Sequence, residues 1–151
     1  MGCHQMHVQG VPDFELNVHI ERGVALETTA LCNALVELGM AFPSPVPEFP
    51  DGDHLDRSDF RDEQPITSRA REYLQALELV RADHGDTGMP GIPTHKLASG
   101  DGWHVPAHEC AQALAAYDLA RAAGAEHPAA FADDFIPFLR TAARYQGFRV
   151  F

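Results

Sequence analysis

The chain has 151 residues, enough for one domain with a real core, and its 45% hydrophobic and 22% charged content is ordinary for a globular protein. A formal net charge of −11 argues against nucleic acid as a direct partner, because phosphate contacts require a basic surface. No apolar run reaches the length of a membrane span and no basic-then-apolar leader opens the sequence, so a cytoplasmic location is expected and a membrane partner is not.

Residues 1–10 contain Cys3, His4 and His7, residue types that ligate zinc, but the segment offers at most three ligands and reads more simply as a terminal strand or tail. Phe14, Leu16, Val18 and Ile20 alternate with polar residues, which predicts a strand over 14–20 with one buried face. A helix is predicted over about 24–38, burying Leu31, Leu35 and Leu38 and closed by Gly39, with Cys32 as a small apolar residue. The three cysteines Cys3, Cys32 and Cys110 are too widely spaced for a disulfide framework and read as reduced thiols.

Composition changes between residues 42 and 66, where five of the eleven prolines meet Glu48, Asp51, Asp53, Asp56, Asp59, Asp62 and Glu63. Proline removes backbone donors and like charges repel, so a long acidic loop is expected, with at most a helical turn near 55–60. Asp51-Gly52-Asp53 carries part of a calcium-loop pattern but lacks the downstream glutamate. Thr67 is a good N-cap for a helix to about residue 83, with Ala70, Tyr73, Leu74, Leu77 and Val80 at helical spacing. Residues 84–93, HGDTGMPGIP, are rich in turn formers and are expected to be irregular.

The centre of the chain is 93–124. Ser99-Gly100-Asp101-Gly102 supplies a turn, Trp103-His104-Val105 alternates like a half-buried strand, and Pro106 suits the first turn of the helix that follows. Cys110 is expected to face inward with Ala113, Leu114 and Tyr117. A last helical stretch over 128–146 contains Pro137, which predicts a kink or a fresh start capped by Asp133 or Asp134. Gly147 closes it, and Phe148-Arg149-Val150-Phe151 alternates like a final strand. The expected fold is therefore α+β: about four helices packed on a small antiparallel sheet, as a single domain over 1–151.

Chemistry is sparsely marked. His104 and His108 are four apart and form the candidate metal pair, with zinc the ion they would suit. Their segment lacks the glutamate that makes the HExxH pattern specific, and His104 precedes Pro106 on the strand, so the two need not share a face. His95, Asp101, Trp103 and His104 are the candidate binding residues, since polar groups beside a tryptophan would make a pocket rim. No GxSxG, phosphate-cradling glycine loop or dinucleotide fingerprint occurs, and no other cofactor is expected.

The segment from Gly91-Ile92-Pro93 to Cys110, with its S-G-D-G-W-x-V-P-x-x-E-C core, and the ending G-F-R-V-F resemble those of small uncharacterised proteins of actinobacteria and their phages. The likeness covers about a third of the chain. It departs at Ser99-Gly100 ahead of Asp101, at Val105 before Pro106, and at His108, where an acid is usual. The resemblance implies a compact cytosolic or phage-encoded domain and carries no activity with it. Two functions are thus weighed: a non-enzymatic accessory domain whose acidic surface meets a basic protein partner, and a metal-dependent hydrolase or metal-binding protein built from clustered histidines. Enzymatic activity and oligomeric state stay open at this level.

Overall fold

The structure, a computed structural model, describes residues 5–10, 28–85, 88–126 and 131–151. In chain order it contains strand β1 (Met6–Val8), helix α1 (Thr28–Glu37), strand β2 (Ala41–Phe42), a 3-10 turn (Arg57–Asp59), strands β3 (Phe60–Arg61) and β4 (Gln64–Pro65), and helix α2 (Ser68–Arg81). Strand β5 (Ile92–Pro93), the single-turn helix α3 (His95–Ala98), strand β6 (Trp103–Val105), helix α4 (Ala107–Ala122), a π-helical turn (Phe131–Phe135), helix α5 (Ile136–Arg144) and strand β7 (Phe148–Val150) follow. This is the expected α+β class. The backbone divides into two units, Met1–Val46 with His84–Phe151, and Pro47–Asp83.

In the first unit the alternation read from the sequence becomes a three-stranded antiparallel sheet of order β1-β7-β6. Met6, Val8, Trp103, Val105, Phe148 and Val150 are buried, and the residues between them take the opposite face. Helices α4 and α5 pack on one another, and the rings of Phe131, Phe135, Phe138 and Phe148 follow in sequence at centroid separations of 5.5, 6.4 and 5.2 Å. Such ring pairs add directional contact to the burial of apolar surface. Leu31, Leu35 and Leu38 are buried as the helical spacing predicts, while the expected start of that helix and the strand expected over 14–20 lie outside the described residues. Cys3 and His4 lie outside them too.

Three expectations for this unit need correction. Pro106 is the N-cap of α4 rather than its first helical residue, and it has extended backbone. The final helix does start afresh near Pro137, but Asp133 and Asp134 sit inside the π turn instead of capping it, and Phe135 holds the cap position without a side-chain bond. Pro137 is accommodated in the first turn of α5, where a missing N–H removes no intrahelical bond of that helix. Residues 84–93 are not wholly irregular, since Ile92 and Pro93 pair in parallel with Ala41 and Phe42. Gly91 makes that pairing possible: it has φ +104, and a Cβ there would lie 2.4 Å from the Met40 carbonyl oxygen. Gly147 is tighter still, with a Cβ placed 1.9 Å from the carbonyl oxygen of Val105.

In the second unit the 3-10 turn lies where a helical turn was expected near 55–60, but the loop also holds an unexpected hairpin of β3 and β4, pairing Phe60 with Pro65 and Arg61 with Gln64. Its two-residue connection, Asp62-Glu63, has φ of 50 and 66, the mirror-image turn that suits hairpin twist. That turn normally uses asparagine and glycine, which is why nothing in the sequence announced it. Helix α2 begins as expected, with Thr67 Oγ1 accepting from Ala70 N at 3.3 Å, and closes at Arg81 with Ala82 as C-cap, close to the expected end.

Candidate functional site

The central segment folds two strings of polar groups into the first unit. One is ionic. Lys96, the only lysine, sits on α3 and Glu109 in the first turn of α4, and both are fully buried. Lys96 Nζ donates to both carboxylate oxygens, at 3.0 and 2.9 Å. His84 joins them, with Nδ1 3.0 Å from Glu109 Oε2 and Nε2 2.6 Å from the Met89 carbonyl oxygen. Both of its ring nitrogens therefore face acceptors, the pattern that a charged imidazolium satisfies in full. Its ring also packs on Phe42 at 5.1 Å.

The second string is mostly neutral. His95 N donates to Ser44 Oγ at 3.1 Å, and the Ser44 hydroxyl lies 2.8 Å from His95 Nδ1. Ser44 N donates to Thr94 Oγ1 at 3.1 Å, so the residue clips the start of α3 to the chain after β2. The buried His95 ring stands edge-on to Trp103 at 4.9 Å. Trp103 Nε1 donates to Ser99 Oγ at 2.9 Å, which satisfies the indole N–H and lets the tryptophan be buried. Ser99 Oγ in turn donates to Asp101 Oδ2 at 2.5 Å.

Three of the four candidate binding residues, His95, Trp103 and Asp101, are thus linked through ring contact and Ser99. His104 is not among them: it points to the other face of β6, with Nε2 2.8 Å from the Gln146 carbonyl oxygen. His108 is exposed in the first turn of α4. The candidate metal pair is therefore divided between the strand face and the helix, as the intervening Pro106 foreshadowed. Among the described residues there is no group of three or more histidine, cysteine, aspartate or glutamate side chains able to hold a metal ion. Cys110 is fully buried, and desolvation, with the Glu109 charge adding to it, pushes its thiol up to about 12, so it packs rather than reacts.

The second unit has an ionic centre of its own. Asp59 is fully buried and accepts from Arg69 Nε at 2.6 Å, Arg69 Nη2 at 2.9 Å, Thr67 Oγ1 at 2.5 Å and Asp56 N at 2.8 Å. The Arg69 guanidinium, then the Thr67 hydroxyl, hold its carboxyl far below the usual carboxylate range. The Asp56 carboxyl is lowered chiefly by the Ser58 hydroxyl. Asp51 Oδ1 accepts from Asp53 N at 2.9 Å, which makes the calcium-like tripeptide a local turn.

Lys96, Glu109, His84, Ser44 and Asp59 did not stand out in the sequence. The one available signal was Lys96 itself, a solitary lysine followed by an apolar residue. No protein-family model, no curated protein and no solved structure matches the chain.

Proposed function

We propose that this chain is a non-enzymatic protein-binding domain, with an accessory role, that recognises a basic partner through residues 47–83. One observation carries the reading. Among the residues of that unit only Asp59 and Ala70 are buried, while Glu48, Asp51, Asp53, Asp62 and Glu63 stay exposed beside the exposed apolar side chains of Phe49 and Ile66. Apolar groups set among carboxylates suit a surface that steers a cationic partner by charge and then holds it by desolvation. The buried ionic groups, by contrast, are engaged with one another, as structural groups are. An actinobacterial or phage setting is the version suggested by the resemblance of residues 91–110.

The test compares capture from an actinobacterial host lysate by the natural chain and by a variant with Glu48, Asp51, Asp53, Asp62 and Glu63 changed to their amides. A partner retained at low salt, weakened at moderate salt and lost with the amide variant is expected. Equal capture by both chains, or none, overturns the reading. Elemental analysis is the complementary check, because a stoichiometric transition metal in untagged, folded protein would favour the metal-dependent alternative.

A further inference from the structure

Two aspartates in the chain are followed by glycine, at Asp51-Gly52 and Asp101-Gly102. In that dipeptide the glycine nitrogen can attack the aspartyl side-chain carbon, because the five-membered ring closes within one chain and glycine brings no Cβ to obstruct it. Both aspartates are exposed, so their solvent access does not separate the two places. The glycines do. Gly102 is buried where β6 begins, its N–H donating to the Val150 carbonyl at 2.8 Å and its own carbonyl accepting from Arg149 Nη1 at 3.1 Å. The Asp101 carboxyl is held as well, accepting from Ser99 Oγ. Gly52 instead lies in the irregular stretch ahead of the 3-10 turn. Its carbonyl accepts from Leu55 N at 3.0 Å, but its N–H makes no hydrogen bond among the described residues. Asp51 Oδ1 accepts from Asp53 N at 2.9 Å, which folds the carboxyl forward along the Gly52 peptide.

We propose that Asp51 is a site of spontaneous isomerisation to isoaspartate in the folded protein, and that the fold protects Asp101 from the same reaction. The Gly52 nitrogen bonds to Asp51 Cγ. Its hydrogen, one carboxylate oxygen and a proton from solvent leave as water, and a succinimide closes. Water then adds at either ring carbonyl, and the borrowed proton returns to solvent. Opening at Cγ restores aspartate. Opening at the main-chain carbonyl carbon of Asp51 breaks its bond to the Gly52 nitrogen, so the chain runs on through Cγ and the former main-chain carbonyl becomes the free carboxylate. Mass and charge are unchanged, but the backbone is longer by a methylene. The Asp51–Asp53 turn is lost, since the carboxyl that formed it has entered the main chain. The longer backbone also has little room beside α2, because even a Cβ on Gly52 would lie 3.1 Å from ring carbons of Tyr73. At Asp101 the attack waits for the Gly102–Val150 bond to open, so its rate is scaled down by the population of the opened strand.

The test ages the full chain at neutral pH for several weeks, folded in buffer and unfolded in guanidinium chloride, and maps isoaspartate in its peptides by mass spectrometry. In the folded chain isoaspartate is expected at residue 51, accumulating at least about tenfold faster than at residue 101, which needs a buried backbone bond to break. In guanidinium chloride the two rates should converge, because the fold alone separates them. Asp51→Glu keeps the charge but lengthens the side chain beyond a five-membered ring, and should abolish the product in that peptide, which also contains Asp53. Equal rates at the two positions in the folded chain, or a difference that persists after unfolding, overturns the proposal. So does the absence of isoaspartate at residue 51 over a period in which the unfolded chain forms it, or its survival in Asp51→Glu.

Discussion

Both units are organised around a buried carboxylate that receives a cationic side chain, yet the two pairs are built differently. In the first, both members of Lys96–Glu109 are sealed from solvent, with side-chain exposures of 0% and 0%. In the second, Asp59 is sealed but Arg69 is 48% exposed, and the carboxylate takes a hydroxyl and a backbone N–H as well. A wholly desolvated ammonium and carboxylate chiefly compensate each other, with the part-buried His84 ring a further contact of Glu109. A carboxylate with several donors has its cost shared among them. The first arrangement fails when either member is removed; the second is a latch between the 3-10 turn and the start of α2, and weakens in stages.

The largest expected effect comes from breaking the sealed pair. Glu109→Gln should cost about 3–5 kcal/mol in urea unfolding, because it removes the buried negative charge that the Lys96 ammonium faces. Combining Lys96→Met with Glu109→Leu should recover most of that loss. If the double variant is no more stable than the single one, then packing rather than charge controls this region.

Asp59→Asn comes next. It should abolish hydrogen-exchange protection at the start of α2 and in the β3–β4 hairpin while leaving the β1-β7-β6 sheet protected. The pH dependence sharpens the same point. The Asp59 carboxyl is held below its unfolded value of about 3.9, so its stabilisation is complete above about pH 4 and drains away as acid titrates it toward its lower folded value. Acid should thus loosen the second unit in the natural chain, and Asp59→Asn should flatten that response. Thr67→Ala, which removes the cap of α2 and one of the Asp59 donors, should cost about 1 kcal/mol by thermal melting. The exposed pair Arg140–Asp118 marks the floor of the series, and Arg140→Ala should stay within about 0.5 kcal/mol.

How far the sequence could be read depended on which force set each element. Strands β6 and β7 and the interior of α1 and α2 follow apolar periodicity, and periodicity is visible locally. The hairpin at 60–65 was hidden because Asp62 and Glu63 adopt positive φ without the glycine that usually signals it. The parallel β2–β5 pairing was hidden because its strands are two residues long and about fifty positions apart. The same holds for the sites. Trp103 and Asp101 could be grouped through the turn that contains them, whereas the contacts Lys96–Glu109–His84 and His95–Ser44 depend on which segments meet.

Lys96 also has a consequence for reactivity. It carries the only ε-amine in the sequence, and the fold encloses it completely. Acylating reagents therefore find no lysine target while α3 and α4 stay closed over it, and modification of that one position records how often they part.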